Sequence, residues 1–318
     1  MAVMDTVFIL LLALVIDLAL GEPPLPVHPV AWMGRLAGWM IKGGREFSRA
    51  FQFLYGIFVV LLTIAIFAVP TYFLLSYLKG LNIVAYVVVG ALVLKTTFSL
   101  RELRRAANRV KRCLADRKLH EARFELRSLV KRNASRLNDG QVVSAVVESV
   151  AENACDSFVA ALFYFLFLGV PGAVAYRVIN TLDAQIGYRG EFEYLGKFAA
   201  RFDTVVNYIP ARITAFFIVL ASWIQRKRTS DAWRIMLRDR KNTESPNAGW
   251  TMSAMSGALG VQLEKVGYYR LGDLPQGEAA LSPATIDASL NIMMTAAFIW
   301  TAAVVIARVV YYYVAAYT

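Results

Sequence analysis

The run Phe51-Gln-Phe-Leu-Tyr-Gly-Ile-Phe-Val-Val-Leu-Leu-Thr-Ile-Ala-Ile-Phe-Ala-Val-Pro-Thr-Tyr-Phe-Leu-Leu-Ser-Tyr77 contains no Asp, Glu, Lys or Arg. As an α-helix rising ~1.5 Å per residue it exceeds the ~30 Å hydrocarbon thickness of a bilayer, so it reads as a membrane span. A second apolar run, Leu81 to Leu94, follows after a connection whose only charge is Lys79. Together they predict a membrane hairpin. The flanks Arg35 to Arg49 and Arg101 to Arg136 are strongly basic, which by the positive-inside rule places them in the cytoplasm and the Lys79 turn outside.

Working outward, Val7 to Leu20 is apolar apart from Asp17, with no Lys or Arg before it, and reads as an uncleaved span rather than a signal peptide. Val205 to Trp223 is interrupted by Pro210 and Arg212, and Leu290 to Ala316 forms a long terminal span. Phe158 to Val178 carries Gly169-Val-Pro-Gly172 near its centre. Pro with Gly is a turn signal, so this segment is either two short helices meeting in a re-entrant hairpin or a Pro-kinked crossing helix. Residues 101–138 place apolar side chains at spacings of three and four: Leu103, Ala107, Val110 and Leu114, then Ala122, Leu126, Leu129 and Leu137. That pattern predicts an amphipathic helical hairpin on the cytoplasmic side. The expected fold is all-α, a polytopic integral membrane helical bundle with broken or re-entrant helices, in one domain over residues 1–318.

Composition supports a chain solvated by lipid. Hydrophobic residues make up 58% and charged residues only 18%, too apolar for a soluble globular domain. The net charge of +11 is concentrated in residues 101–140, which hold 13 basic and 5 acidic side chains. Without an RNA-binding signature or interleaved aromatics, that basic face suits anionic lipid headgroups and not nucleic acid. Two cysteines outside any CxxC spacing and two histidines argue against disulfide, thiolate-metal, zinc-hydrolase or haem chemistry. No GxxxxGK[ST] or GxGxxG loop occurs.

Polar residues gather in five short stretches beside the apolar ones. Glu148, Glu152 and Asp156 stand four apart in Val147-Glu-Ser-Val-Ala-Glu-Asn-Ala-Cys-Asp156, which with Asn153 places them on one broad helix face. Like charges so spaced repel, so the ladder needs either Mg²⁺ with a phosphate-bearing substrate or arginines from elsewhere in the chain. Asp17 begins Asp17-Leu-Ala-Leu-Gly-Glu-Pro-Pro24, and His28 follows; an acid near a span end should face a partner or water. Tyr176-Arg-Val-Ile-Asn-Thr-Leu-Asp183 contributes Asn180, Thr181 and Asp183, with Tyr188 a little beyond. Arg201-Phe-Asp-Thr-Val-Val-Asn207 puts Asp203 and Asn207 one turn apart, ahead of Arg212. Ser245-Pro-Asn-Ala-Gly-Trp250 reads as a helix entry, either an anion-binding turn or an ordinary cap.

As an ordered set these stretches resemble the CobD/CbiB family of cobalamin biosynthesis, adenosylcobinamide-phosphate synthase. The resemblance runs from the first span to about Tyr269. It implies a multi-pass enzyme of the cell membrane, its active site on the cytoplasmic side, that joins adenosylcobyric acid to aminopropanol or its phosphate at the expense of ATP. In that setting Glu148, Glu152 and Asp156 would hold Mg²⁺ and phosphates, with Asp183 and Asp203 as further metal or amine contacts. Arg201 and Arg212 would stabilise phosphoryl charge. Asp17, His28, Asn153, Asn180, Thr181, Asn207, Ser245, Asn247 and Trp250 would complete the substrate- and phosphate-binding set. Self-association, or association with other membrane-bound corrinoid enzymes, is compatible with such a role. The chain departs from the family pattern at Glu22, where Asp is usual, at Ala154, Cys155 and Ser157, and at Asn242-Thr-Glu244. The last leaves the role of a basic-His-Pro run to Arg240 or Lys241. A transporter with an acidic substrate site is the competing class, suggested by Asp17 and the broken helices.

Overall fold

The computed structural model describes residues 2–44, 46–187, 192–274 and 281–317; Tyr188 lies outside them. In chain order the helices are α1 (Ala2–Ala19), α2 (Pro29–Gly44), α3 (Arg49–Leu81), α4 (Ile83–Lys95), α5 (Leu100–Ala115), α6 (Leu119–Leu126), α7 (Asp139–Ala154), α8 (Ala160–Ile186), α9 (Lys197–Val206), α10 (Tyr208–Ile224), α11 (Thr229–Asp239), α12 (Ala248–Leu259) and α13 (Pro283–Tyr317). A π-helical turn, Cys155–Val159, joins α7 to α8, and the strands β1 (Leu263–Lys265) and β2 (Tyr269–Leu271) pair antiparallel, Leu263 opposite Leu271. Among the described residues, by length and hydropathy, four helical segments can cross a membrane: Arg49–Leu81, Ile83–Ala115, Asp139–Ile186 and Pro283–Val314. The pair α9 and α10, bent by 48°, raises the number to five. The protein is a polytopic helical membrane protein, as the apolar runs required.

The chain forms two compact units. The first comprises Met1–Ser99, Ala160–Asn207 and Ala303–Thr318. In it, α3 reverses into α4 at Asn82, which leaves helical geometry (φ −156°, ψ 117°) and accepts the Val84 and Ala85 N–H groups on its side chain at 2.8 and 3.1 Å. That cap starts the second arm of the predicted hairpin. α1 packs on α4, and Gly90 allows the approach: a Cβ there would meet Ile9 Cδ1 at 2.9 Å. Gly56 on α3 plays the same part, since a Cβ would fall 2.1 Å from the carbonyl oxygen of Leu195.

The Gly169 segment folds back on itself. Gly169 has φ 67° and ψ −162°, a conformation open in practice only to glycine. Across it the Tyr164 and Tyr176 rings stack at 5.4 Å with 12° between their planes. Twelve residues of straight helix would separate them by about 18 Å. The segment therefore breaks sharply at Gly169, and Asp139–Ile186 is not one straight rod despite its length. Arg308 of α13 donates to the Phe165 carbonyl at 3.1 Å in the hairpin's first arm.

The second unit comprises Leu100–Val159 and Tyr208–Ala302. Its centre is α7, buried at every position from Val142 to Ala151 and packed by α5, α6, α12 and β1. Such a helix must be apolar almost all round, which the sequence supplies. Its start is a capping box: Asn138 accepts the Gln141 N–H at 2.9 Å while the Gln141 side chain accepts the Asn138 N–H at 3.0 Å. The predicted amphipathic hairpin is present as α5 and α6, with Leu103, Ala107, Val110, Leu114, Ala122 and Leu126 all buried. It is shorter than expected, because residues 127–137 run as turns. Asn133 accepts the Ser135 N–H at 2.9 Å, and Arg123 Nε donates to the Leu137 carbonyl at 2.7 Å. These local bonds compete with helix continuation.

Candidate functional site

In the first unit a cavity of about 500 Å³ is lined by Glu22, His28, Arg35, Ser99, Arg177, Thr181 and Gln185 among others. Its acid corner is built from the turn after α1. Lys95 Nζ, at the end of α4, lies 2.6 Å from Glu22 Oε1 and 3.3 Å from Asp17 Oδ1. Lys95 and Asp17 are almost fully buried, each beside an opposite charge. His28 Nε2 lies 2.6 Å from Glu22 Oε2, while its Nδ1 accepts the Val30 N–H at 3.1 Å. That backbone donor fixes the tautomer: Nε2 carries the proton and donates it to Glu22. Burial alone would raise the Glu22 pKa, but the hydrogen bonds from His28 and Lys95 outweigh it and hold the carboxyl at about 2.

A polar chain leads away from the cavity wall through the same unit. Arg177 Nη1 donates to Asn180 Oδ1 at 3.4 Å, and Asn180 Nδ2 to Asp203 Oδ1 at 3.5 Å. Asn207 Nδ2 donates to Asp203 Oδ2 at 3.0 Å, and the buried Tyr176 hydroxyl to Asn207 Oδ1 at 2.9 Å. Two stretches distant in sequence thus meet at Asp203. Thr181 donates to the Arg177 carbonyl at 2.7 Å. Asp183 folds over Gly187, whose N–H bonds the Asp183 carbonyl at 2.8 Å and whose missing Cβ leaves room for the carboxylate. Arg201 is exposed on α9.

The acid ladder belongs to the second unit. Glu148 accepts Ser144 Oγ at 2.7 Å and the Tyr269 hydroxyl at 3.0 Å, and pairs with Arg132 Nη1 at 3.1 Å. The ion-pair alternative thus describes Glu148, which is buried and hydrogen-bonded on both oxygens. Burial and the neighbouring Glu148 push the Tyr269 phenol well above its ordinary range, so it stays a donor. Glu152 is half-buried one turn on, and Asn153 bridges Ser149 and Ser157, donating to the Ser149 carbonyl at 2.9 Å and accepting Ser157 Oγ at 2.9 Å. Asp156 falls in the π turn, which alters the angular step between it and Glu152. Among the described residues no three His, Cys, Asp or Glu side chains converge to hold a metal by themselves.

The last stretch also lies here. Ser245 Oγ accepts the Asn247 and Ala248 N–H groups, both at 3.3 Å, at the start of α12. Asn247 Oδ1 takes Arg212 Nη1 at 3.3 Å, and Trp250 presents its ring to Arg212. Sequence reasoning missed Lys95, Arg177, Arg132 and Tyr269 as site residues. Arg177 stood within a quoted polar stretch, and Lys95 carried a weaker signal, a lone cation closing an apolar run.

Long apolar helices, and an open cavity that carries Glu22, Arg35 and Arg177 on its wall, define a multi-pass membrane protein with a built polar site. Its sequence matches the family model for the CobD/Cbib protein over residues 10–313. A cobalamin biosynthesis protein CobD of Dehalococcoides mccartyi is 50% identical over 93% of this chain and 96% of its own length. A probable cobalamin biosynthesis protein CobD of Methanothermobacter thermautotrophicus is 40% identical over 92% of this chain and 97% of its own. The chain belongs to the CobD/CbiB family, a family of cobalamin biosynthesis proteins. No solved structure matches it.

Proposed function

We propose that within cobalamin biosynthesis the chain forms an amide bond between adenosylcobyric acid and aminopropanol or its phosphate, with ATP consumed, giving adenosylcobinamide or its phosphate. The observation that carries this reading is the first unit's cavity, where the ionised Glu22 and the guanidinium groups of Arg35 and Arg177 line one space. That charge pairing suits a short molecule with an ammonium at one end and an anion at the other. Glu22 is too weak a base to take the ammonium proton, and both His28 ring nitrogens are engaged. The amine is oriented by Glu22, and His28 and Lys95 hold that carboxylate in place. Asp203, held by two amides at the end of the polar chain, and Asp183 are the proposed further amine contacts.

The substrate carboxylate takes the γ-phosphoryl group of ATP with release of ADP, and the amine, its ammonium proton lost to solvent, displaces inorganic phosphate from the acyl phosphate; Mg²⁺ would neutralise the polyphosphate. Mg²⁺ is usually bound by one or two carboxylates plus phosphate oxygens, so a three-carboxylate cage is not required. Glu152 and Asp156 are the proposed contacts, with Glu148 holding their helix in place through Arg132 and Tyr269.

The test uses the full chain purified in detergent, with ATP, Mg²⁺, adenosylcobyric acid and each form of the amino alcohol. Mass spectrometry should find the amide product with wild type and none with Glu152→Ala, whose melting temperature should stay close to wild type. Retained turnover in Glu152→Ala removes that residue from the mechanism. Substrate uptake into vesicles without chemical change would replace the enzyme with the transporter.

A further inference from the structure

Helix α2 has two unlike faces. Met33, Ala37, Met40, Ile41 and Gly44 are buried on the side that packs against α3 and α8, whereas Trp32, Arg35, Trp39 and Lys42 are exposed. The exposed four recur at spacings of three, four and three, so they form one stripe in which indoles alternate with cations. Trp39 is 75% exposed, far more than an indole usually is. The turn before α2 extends the apolar part of this surface. Leu25 is 75% and Val27 57% exposed, and between them the Pro26 carbonyl accepts Trp32 Nε1 at 2.7 Å. The Trp32 N–H is thus satisfied within the chain, and the body of the ring is what it offers outward.

The place of α2 in the first unit decides what covers this face. The start of α2 shares the cavity wall with Thr96 and Ser99, just past the end of α4. Its other end is tied to the opening turns of α3: the Tyr55 hydroxyl donates to the Met40 carbonyl at 2.9 Å, and the Tyr55 ring packs where a Gly44 Cβ would stand. The start of α3 and the end of α4 are the two ends of one membrane hairpin, so they emerge on the same side of the bilayer. Helix α2 therefore runs along that side and does not cross. With 33 residues, α3 is about 50 Å long against a hydrocarbon core of ~30 Å, so its end turns reach into the headgroup layer, and α2 lies beside them. Exposed indoles alternating with cations at that depth fit the mixed polarity of a bilayer interface.

We propose that residues 24–42 form an interfacial membrane element. Leu25, Val27, Trp32 and Trp39 enter the boundary between headgroups and acyl chains, and Lys42 meets anionic headgroups. Arg35 sits where the stripe reaches the cavity, which His28 also lines from this segment and Glu22 from just before it. Lipid contact therefore holds one wall of the cavity and sets its mouth at the bilayer surface. This contact does not depend on amide formation, because it is read without turnover.

The full chain, with Cys113 and Cys155 replaced, is given one nitroxide at a time, on Leu25→Cys, Trp39→Cys, Leu61→Cys in the exposed face of α3, or Glu244→Cys, where the native side chain is 67% exposed. Each protein is placed in nanodiscs of phosphatidylcholine with phosphatidylglycerol. Power saturation should put the first two labels roughly 5–10 Å into the headgroup and acyl boundary, shallower than the Leu61→Cys label and shielded from aqueous nickel relative to the Glu244→Cys label. Hydrogen exchange over residues 22–44 should be slower in these discs than in phosphatidylcholine alone. Lys42→Gln should lose that difference, and Trp39→Ser should speed exchange in both lipids while melting in detergent as wild type does. Labels on Leu25→Cys and Trp39→Cys as open to nickel as the Glu244→Cys label would overturn the proposal. Dipolar broadening between Trp39→Cys labels would overturn it too, by giving the surface to a second copy of the chain. Exchange unmoved by either substitution would overturn the hold of lipid on the cavity wall.

Discussion

At the scale of single residues, the fate of each expected site side chain follows from what its neighbours supply. Asp17 and His28 were legible because an acid ending an apolar span and a histidine in a Pro-rich turn are unusual in sequence. Their partner Lys95 lies far along the chain, and only folding brings it to Glu22. Lys95→Met would remove the ammonium shared by the buried Asp17 and the half-buried Glu22, which costs about 3–5 kcal/mol. A fall in the detergent melting temperature checks this, and a melt unchanged from wild type would show the pair is dispensable. Glu22 also sets a pH dependence with a defined sign. Its folded pKa of about 2 lies below the ordinary 4.5, so its stabilisation is complete above about pH 4.5 and is lost as pH falls toward 2. The contribution is on the order of 3 kcal/mol. Melts at pH 6 and pH 3 should differ more for wild type than for Glu22→Gln; equal differences would place the acid sensitivity elsewhere.

At the scale of elements, the sequence's strongest punctuation proved to be its hinge. Gly169-Val-Pro-Gly172 announced a break, but two readings fitted it, since composition does not encode direction after a turn. The Tyr164–Tyr176 stack shows the two arms folding toward one another. Gly169→Ala puts a Cβ on φ 67°, ψ −162°, and should cost about 1–3 kcal/mol. Its effect should be read as a lowered melting temperature together with faster proteolysis of the α8 hairpin; a melt equal to wild type would mean the turn relaxes freely. The second arm of the amphipathic hairpin was over-read for the opposite reason. Leu129 and Leu137 keep apolar spacing, yet Asn133 and Ser135 between them offer the backbone a tighter turn. In the acid ladder the π turn was likewise invisible, because an inserted residue in a helix changes phase without changing the hydrophobic pattern.

At the scale of the whole molecule, membrane class was legible because spans longer than the bilayer core have no soluble alternative. Sidedness is the property that the reversal at Gly169 constrains most. A straight Phe158 to Val178 crossing would carry the residues before and after it to opposite faces. A re-entrant hairpin would return them to the same one. The ladder follows the basic α5 and α6, which positive-inside reasoning assigns to the cytoplasm, where ATP is available. A cysteine in place of Gly190, in a background with Cys113 and Cys155 replaced, should therefore resist an impermeant maleimide in intact cells and react once the membrane is permeabilised. Reaction in intact cells would put that stretch outside and separate the α8 and α9 polar chain from any ATP-dependent chemistry, leaving the cavity of the first unit as a site for something other than ligation.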